Sequence, residues 1–151
     1  MAVDTKVIER VISIDASPET VFRLITDPTE YVRWKGQLAD LDPRPGGTFR
    51  VEFANRSDIA AGKFVEVVPN RRVVFSWGWE GNEHVPPGSS TVEIDLERDG
   101  KGTRLRLVHR GLPDAAIASH TEGWDYFLPR LEDVAEGRAP REAGHHTDAT
   151  Q

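Results

Sequence analysis

The sequence contains no cysteine among its 151 residues. Disulfide bonds, thiolate nucleophiles and zinc–thiolate sites are therefore excluded, and we expect the protein to reside in the reducing cytoplasm. Long apolar runs are also missing, because none approaches the ~20 residues that a membrane-spanning helix needs. The N-terminal segment MAVDTKVIER has an acidic residue at position 4 and no apolar stretch, so we expect no signal peptide.

An excess of positive charge is also missing. The sequence has 19 Lys and Arg residues and 25 Asp and Glu residues, and the formal net charge is −6. No Lys/Arg-rich run or basic helix face appears, and we expect no nucleic-acid partner. The G-x-S-x-G motif of nucleophilic hydrolases and the glycine-rich loops that hold phosphates are absent. His84, His145 and His146 do not form a set of metal ligands, and we expect neither a metal nor another cofactor.

Apolar and polar residues alternate along six segments, which predicts six β-strands. The first runs from about Lys6 to Asp15, and the other five lie between residues 48 and 111 with short turns between them. Such short connections favour an antiparallel sheet. Between the first two strands the sequence predicts two short helices, because Ser17 and Asp27 each suit an N-cap and a proline follows each of them.

The apolar periodicity becomes helical from about Asp114 to Gly137. The residues that follow, RAPREAGHHTDATQ, are polar, and we expect them to be disordered. The order of elements predicts a single α+β domain over residues 1–137 and a tail over residues 138–151. In this domain a curved antiparallel sheet of about six strands packs against the long C-terminal helix, and two short helices follow the first strand.

This order of elements resembles the START/SRPBCC superfamily, also called the birch-pollen-allergen or helix-grip fold. Within the superfamily, the sequence is most similar to the branch related to the C-terminal domain of the activator of heat-shock protein 90 ATPase. The matching segments extend over roughly residues 8 to 135 and read SPETVFRLITDPTEYVRWKG, DPRPGGTFRVEF, GKFVEVVPNRRVVFSWGW, GTRLRLVHRGLP and HTEGWDYFLPRL.

The resemblance implies that the sheet grips the C-terminal helix and leaves a cavity between them. Gly123 has no side chain, so the helix either approaches the sheet or leaves free volume at this position. Trp124 is expected to project into the cavity. Pro129 is expected to kink the helix near its middle, because proline removes a backbone hydrogen bond.

The candidate ligand-binding residues lie on the apolar faces of the predicted strands and helix. Aromatic rings and histidines on these faces suit an apolar ligand with one polar group, although plain core packing is the alternative. The set comprises Phe75, Trp77, Trp79, His109, His120 and Trp124. Arg50 and Glu93 are polar candidates that would enter the cavity only if the strand register were shifted by one residue, and otherwise they are solvated surface charges.

Three functions are compatible with this fold, because the superfamily hosts unrelated activities. The first is a cytoplasmic, non-enzymatic protein that binds a small apolar or aromatic molecule in the cavity. The second is a protein-interaction domain that resembles a regulator of a chaperone ATPase. The third is an enzyme of the polyketide-cyclase or hydrolase kind, for which His109 is the candidate general base.

Overall fold

The computed structural model describes residues 7–53 and 58–141 of the chain. The strands and helices follow one another as the sequence predicts, with one additional strand. In chain order they are β1 (Ile8–Ile14), α1 (Pro18–Thr26), α2 (Pro28–Tyr31), β2 (Leu38–Leu41), β3 (Thr48–Glu52), β4 (Ile59–Val68), β5 (Arg72–Trp77), β6 (Ser90–Asp99), β7 (Gly102–Arg110) and α3 (Asp114–Ala135).

The two short helices begin at the predicted caps. The Ser17 side chain accepts a hydrogen bond from the backbone N–H of Thr20, and Pro18 occupies the first position of α1. The Asp27 carboxylate accepts from the backbone N–H groups of Thr29 and Glu30 at the start of α2. These caps satisfy amide groups that a helix N-terminus otherwise leaves unpaired, which explains why both helices start where they do.

The strands form one antiparallel sheet of seven strands in the order β1-β7-β6-β5-β4-β3-β2. The α+β class and the antiparallel sheet are confirmed, but the sheet has one strand more than the six predicted. The additional strand is β2, which pairs with β3 from Leu38 opposite Glu52 to Leu41 opposite Phe49. Strand β2 has four residues and lies at the edge of the sheet, so its sequence carries little alternation.

One face of the sheet, here called the inner face, is covered by α3. Val73, Phe75 and Trp77 of β5 are buried on this face, as are Leu105 and Leu107 of β7. They belong to the same core cluster as the buried side chains of α3. The predicted register is therefore confirmed at these strands, and the opposite, outer face carries charged residues.

Helix α3 continues as a single element through Pro129. Trp124, Leu128, Leu131 and Val134 are buried along one side of it, as the helical periodicity predicts. None of the helices in the described part of the chain is sufficiently long and apolar to span a membrane.

The segment after α3 folds back onto the end of the helix. The Asp133 carboxylate accepts hydrogen bonds from the guanidinium groups of Arg138 (2.8 Å) and Arg141 (2.8 and 2.7 Å). These arginines hold the pKa of Asp133 well below its usual range. Arg138 and Arg141 of the predicted tail thus bind α3, whereas the tail residues 142–151 lie outside the described residues.

Candidate ligand-binding site

Lys35 lies just after α2, and its side chain points into the core rather than into solvent. Its backbone N–H donates to the carbonyl of Tyr31, and only 4% of the residue is exposed. Gly36 follows with a φ of +81°, a conformation that favours glycine, and a Cβ there would lie 2.5 Å from a methyl carbon of Val51. The turn at Gly36 therefore sets the chain direction that places Lys35 between the sheet and α3.

Four aromatic rings surround the Lys35 amine. The Nζ atom lies 3.9 Å from the ring centre of Trp124 and 4.4 Å from that of Trp77. Phe127 and Trp34 are farther away, at 5.4 and 5.8 Å. We call these four rings the aromatic cage. A ring face attracts a cation by about 0.5 to 2 kcal/mol, so the cage offsets part of the cost of burying an ammonium group.

No carboxylate in residues 7–53 or 58–141 forms an ion pair with Lys35. Burial alone lowers the pKa of the Lys35 amine to about 7, because the charged form loses its hydration. Near neutral pH the amine is therefore divided between its charged and neutral forms. A buried lysine without a carboxylate is rare in stable cores, since the charge is costly to desolvate.

His109, on β7, is held between two hydrogen bonds inside the core. The indole N–H of Trp124 donates to His109 Nδ1 at 3.0 Å, so this nitrogen carries the lone pair. The proton then lies on Nε2, which is 2.9 Å from Ser90 Oγ, and Ser90 in turn donates to the carbonyl of Trp77. His109 is fully buried and neutral, and both ring nitrogens are occupied.

His120, on α3, has the opposite tautomer for the same reason. The indole N–H of Trp79 donates to His120 Nε2 at 2.9 Å, so the proton lies on Nδ1, which is 2.9 Å from the carbonyl of Ala116. Burial is the largest cause that lowers the pKa of each histidine. The nearby Lys35 charge lowers both further. Because each lone pair already accepts an indole N–H, neither histidine has a free nitrogen with which to take a proton.

The indole N–H of Trp77 is buried without a hydrogen-bond partner among the described residues. The other tryptophans differ, since Trp34 donates to the carbonyl of Leu24 at 2.7 Å, and Trp79 and Trp124 donate to the histidines. An unpaired buried N–H costs about 1 to 3 kcal/mol. Trp77 and Lys35 are therefore two side-chain donors in contact with each other, and neither has a hydrogen-bond acceptor within residues 7–53 and 58–141.

The structure brings the six predicted ligand-binding residues together on the inner side of the molecule. The rings of Trp77, His109, His120 and Trp124 contact one another, with centres 5.4 to 6.5 Å apart. Trp79 lies just beyond the end of β5 and is partly exposed. Phe75 lies next to the Trp77 ring, with the ring centres 6.4 Å apart. It stacks on Phe49, with the ring centres 4.1 Å apart.

Arg50 and Glu93 lie on the outer face, away from these rings. Arg50 forms ion pairs with Glu52 (3.0 Å) and Glu80 (2.9 Å). Glu93 pairs with Arg110 at 2.9 Å. The strand register is the one predicted from the alternation, without a shift by one residue. Both residues are therefore surface charges on the outer face.

Protein side chains lie in the region between sheet and helix where the sequence predicts a cavity. The Lys35 side chain extends between Trp77 and Trp124, each of which is 3% exposed. Two hollows on the surface lie elsewhere: one is lined by Ser13, Asp99 and Glu136, and the other lies on the outer face near Arg72. Neither hollow includes a ring of the cage. A ligand that lies between Trp77 and Trp124 has to displace the Lys35 side chain.

Lys35 is the functional candidate that the sequence does not reveal. It occurs in the segment YVRWKG, where a lysine at the end of a short helix is expected in solvent. Only the following glycine marks the turn that directs it inward. The pattern of charge and hydrophobicity carries no signal of its burial, because the burial results from contacts with β5 and α3, which come later in the chain.

A resident metal has no evident ligands in the part of the chain that the structure describes. Residues 7–53 and 58–141 contain no group of three or more His, Asp or Glu side chains with suitable placement. His84 lies on an exposed loop, and His145 and His146 lie outside the described residues.

Comparison with known proteins identifies relatives over most of the chain. The family described as Activator of Hsp90 ATPase homolog 1-like protein matches residues 15–136. An AHSA1-like protein of Rhizobium etli, solved by solution NMR, is 45% identical over 96% of this chain and 91% of that chain, with a TM-score of 0.70. No curated protein matches the chain.

Two further structures share the architecture. A protein of Chromobacterium violaceum is 26% identical over 87% of this chain and 97% of its own, with a TM-score of 0.74. An HSP90 activator from Plasmodium falciparum is 24% identical over 85% of this chain and 94% of its own, with a TM-score of 0.70, and this likeness concerns the fold alone.

Proposed function

The chain belongs to the family of Activator of Hsp90 ATPase homolog 1-like proteins, and on that premise we propose that it binds a small apolar, aromatic molecule between the sheet and α3. The observation that carries the proposal is the Lys35 amine, which is buried in an aromatic cage without a carboxylate partner in the described part of the chain. The cytoplasm is the proposed location, since a chain without cysteine needs no oxidising compartment.

A buried amine at this position lowers the stability of the ligand-free protein. A methionine or leucine would fill the same volume without charge, and replacing buried charges by apolar residues is often stabilising. Arrangements that cost stability are concentrated at functional sites, where a ligand supplies the missing interaction. The cage therefore has the properties of a site whose polar group is left unsatisfied until a ligand binds.

A series of partly exposed rings connects the cage with the surface. Phe53 contacts Trp79 and Phe127, with ring centres 5.5 and 5.8 Å apart. All three residues are half-buried, and Phe127 also borders Lys35. We call Phe53, Trp79 and Phe127 the aromatic rim. An aromatic ligand would enter across this rim, and the flexible Lys35 side chain would move aside as the ligand takes its place between Trp77 and Trp124.

The test uses an uncharged aromatic probe, naphthalene-1-carboxamide, titrated into the full chain labelled with nitrogen-15. The indole N–H groups give one NMR signal for each of the four tryptophans. We expect the signals of Trp77, Trp79 and Trp124 to shift more than that of Trp34, which is the cage ring farthest from Lys35 Nζ and whose N–H donates to the carbonyl of Leu24. A uniform response, or no response to either this amide or naphthalene-1-carboxylate at millimolar concentration, contradicts the proposal.

A pair of variants on α3 supplies the control. Phe127→Ala removes a ring from both the cage and the rim, and we expect weaker binding of the probe. Tyr126→Ala removes the neighbouring ring, which lies 4.8 Å from the Phe127 ring and 5.5 Å from the Arg130 guanidinium and belongs to neither the cage nor the rim. Equal losses of affinity in the two variants would place the probe outside the rim.

A second candidate function, regulation of a chaperone ATPase, is favoured by the family match over residues 15–136. In this case the chain would bind an Hsp90-type ATPase and stimulate its turnover. Steady-state ATP hydrolysis by Hsp90, measured with and without the chain, tests it directly. An unchanged rate at a several-fold molar excess of the chain would refute this candidate without affecting the ligand-binding proposal.

A further inference from the structure

The hydrogen-bonding groups around the aromatic cage are unbalanced toward donors. The Lys35 ammonium brings three N–H groups, and Trp77 brings one more that has no partner among the described residues. The Trp77 ring lies directly against the lysine, with 4.4 Å between Nζ and the ring centre. Both donor residues are almost completely buried, and among the described residues the Trp77 N–H is the fully buried donor without a partner.

The two histidine acceptors near these donors are already in use. His109 Nδ1 accepts from Trp124, and His120 Nε2 accepts from Trp79. Both histidines are neutral, as their tautomers require, so the cage has one titrating positive charge, that of Lys35. A molecule that satisfies this site has to supply acceptor atoms and negative charge, rather than donors.

From this imbalance we propose that the ligand is an aromatic acid whose carboxylate pairs with Lys35 Nζ and accepts the indole N–H of Trp77. This inference rests on the proposed function, and it adds the chemical class of the ligand to it. The aromatic part of the acid would lie among Trp77, Trp124 and Phe127, and the carboxylate would point toward the turn that precedes Gly36.

A carboxylate fits these donors better than other polar groups. Its two oxygens can engage the ammonium and the indole N–H together, whereas a hydroxyl has one oxygen and brings a further donor. An amide likewise brings two N–H groups for which the cage has no free acceptor. A phosphate carries more charge than a single buried ammonium neutralises, and its remaining charge would be buried without a partner.

Pairing also reverses the effect of burial on the lysine. Burial lowers the pKa of Lys35 to about 7, and a carboxylate within hydrogen-bonding distance raises it again. Binding of the acid at pH 7 therefore takes up a fraction of a proton, since part of the lysine is neutral beforehand. The other titratable groups that face the amine are His109 and His120, and both keep their neutral hydrogen-bonded tautomers in this state.

The experiment compares naphthalene-1-carboxylate with naphthalene-1-carboxamide, which has nearly the same shape and no charge. Affinities are measured by calorimetry at pH 7 for the unmodified chain, for Lys35→Met and for Lys63→Met, which removes an exposed lysine on β4. We expect the unmodified chain to bind the acid about 10- to 100-fold more tightly than the amide, the range for a charge-assisted hydrogen bond in a buried site. Lys35→Met should abolish this preference, and Lys63→Met should leave it intact.

The outcomes separate this inference from the proposed function. If the acid and the amide bind the unmodified chain equally, the carboxylate assignment is wrong while the ligand-binding function stands. If neither binds, both fail. A preference for the acid that survives in Lys35→Met would place the carboxylate on another group and overturn the assignment.

Proton uptake gives an independent readout. Calorimetry in phosphate and in Tris, which have different heats of ionisation, should show a net uptake of protons for the acid and none for the amide. Uptake that is absent for the acid, or equal for the two probes, would also overturn the assignment.

Discussion

Replacement of Lys35 by methionine is expected to stabilise the ligand-free protein. The two side chains are unbranched and similar in length, so methionine can fill the space between Trp77 and Trp124 and contact both rings. Lys35 has no hydrogen-bond or ion-pair partner in the described part of the chain that would be lost. The change therefore removes a buried charge without leaving another group unpaired.

The magnitude follows from the pKa of the amine. Burial lowers it from 10.5 to about 7, and each unit corresponds to about 1.4 kcal/mol, so the full cost of burying the charge is about 5 kcal/mol. At pH 7 roughly 4 kcal/mol of this cost applies, because ionisation of the unfolded lysine is complete and that of the folded lysine is half complete. The attraction of the ring faces for the ammonium is already contained in this net pKa. We expect Lys35→Met to raise the free energy of unfolding by about 3 to 5 kcal/mol at pH 7.

The pH dependence identifies the cause. Because the folded pKa lies below the unfolded one, the unfolded chain binds more protons between pH 7 and pH 10.5, and the stability of the unmodified protein rises with pH in this window. From pH 7 to pH 9 the advantage of Lys35→Met should shrink by about 2 kcal/mol. Urea unfolding followed by tryptophan fluorescence at several pH values measures both quantities.

Lys63→Met is the matched control, since Lys63 is an exposed lysine and its replacement should change stability by less than about 0.5 kcal/mol at every pH. The reasoning is refuted if Lys35→Met is no more stable than the unmodified protein. It is also refuted if the difference does not depend on pH, because the lysine would then reach water in solution.

Two further predictions concern α3. Gly123→Ala should raise the free energy of unfolding, measured with urea, by about 0.5 to 1 kcal/mol. A Cβ at this position meets no atom within 4 Å, and alanine forms helix better than glycine. A loss of stability would show that the sheet approaches this position. Asp133→Asn should lower the midpoint of thermal unfolding at pH 7 by the equivalent of about 1 to 2 kcal/mol. The cost is modest because the partners of the carboxylate are two half-exposed arginines, Arg138 and Arg141. The pKa of Asp133 is lower in the folded state, so its contribution to stability is present above the unfolded pKa and is lost as the pH falls through the folded pKa. The unfolding midpoints of the two proteins should therefore converge in strong acid. An unchanged difference there would contradict the ion-pair explanation.

Local sequence patterns were sufficient for most of the architecture. The caps at Ser17 and Asp27 act between residues two or three positions apart, so their effect is visible in any short window. The alternation in β5 and β7 identified the inner face, because the side chains of a strand point to opposite sides of the sheet. Strand β2 escaped prediction since it is short and depends on pairing with β3 rather than on its own alternation.

The site was predicted only in part, and the physical reason is the distance over which its contacts act. Trp77, His109 and Trp124 stand out in the sequence as aromatic or polar residues on apolar faces, so their meeting between sheet and helix follows once the fold is known. The tautomers of the histidines and the unpaired N–H of Trp77 depend on atoms from separate strands and from α3.

The sequence by itself determined the α+β class, the capped helices, the inner face of the sheet and the aromatic residues that meet there, because each depends on neighbouring residues or on a strict period. Only the tertiary structure decided that Lys35 is buried, that it fills the space expected to be a cavity, and that Arg50 and Glu93 stay outside. A lysine has the same local preferences whether its side chain reaches water or an aromatic cage. The choice is made by the turn at Gly36 and by rings that lie more than forty residues further along the chain.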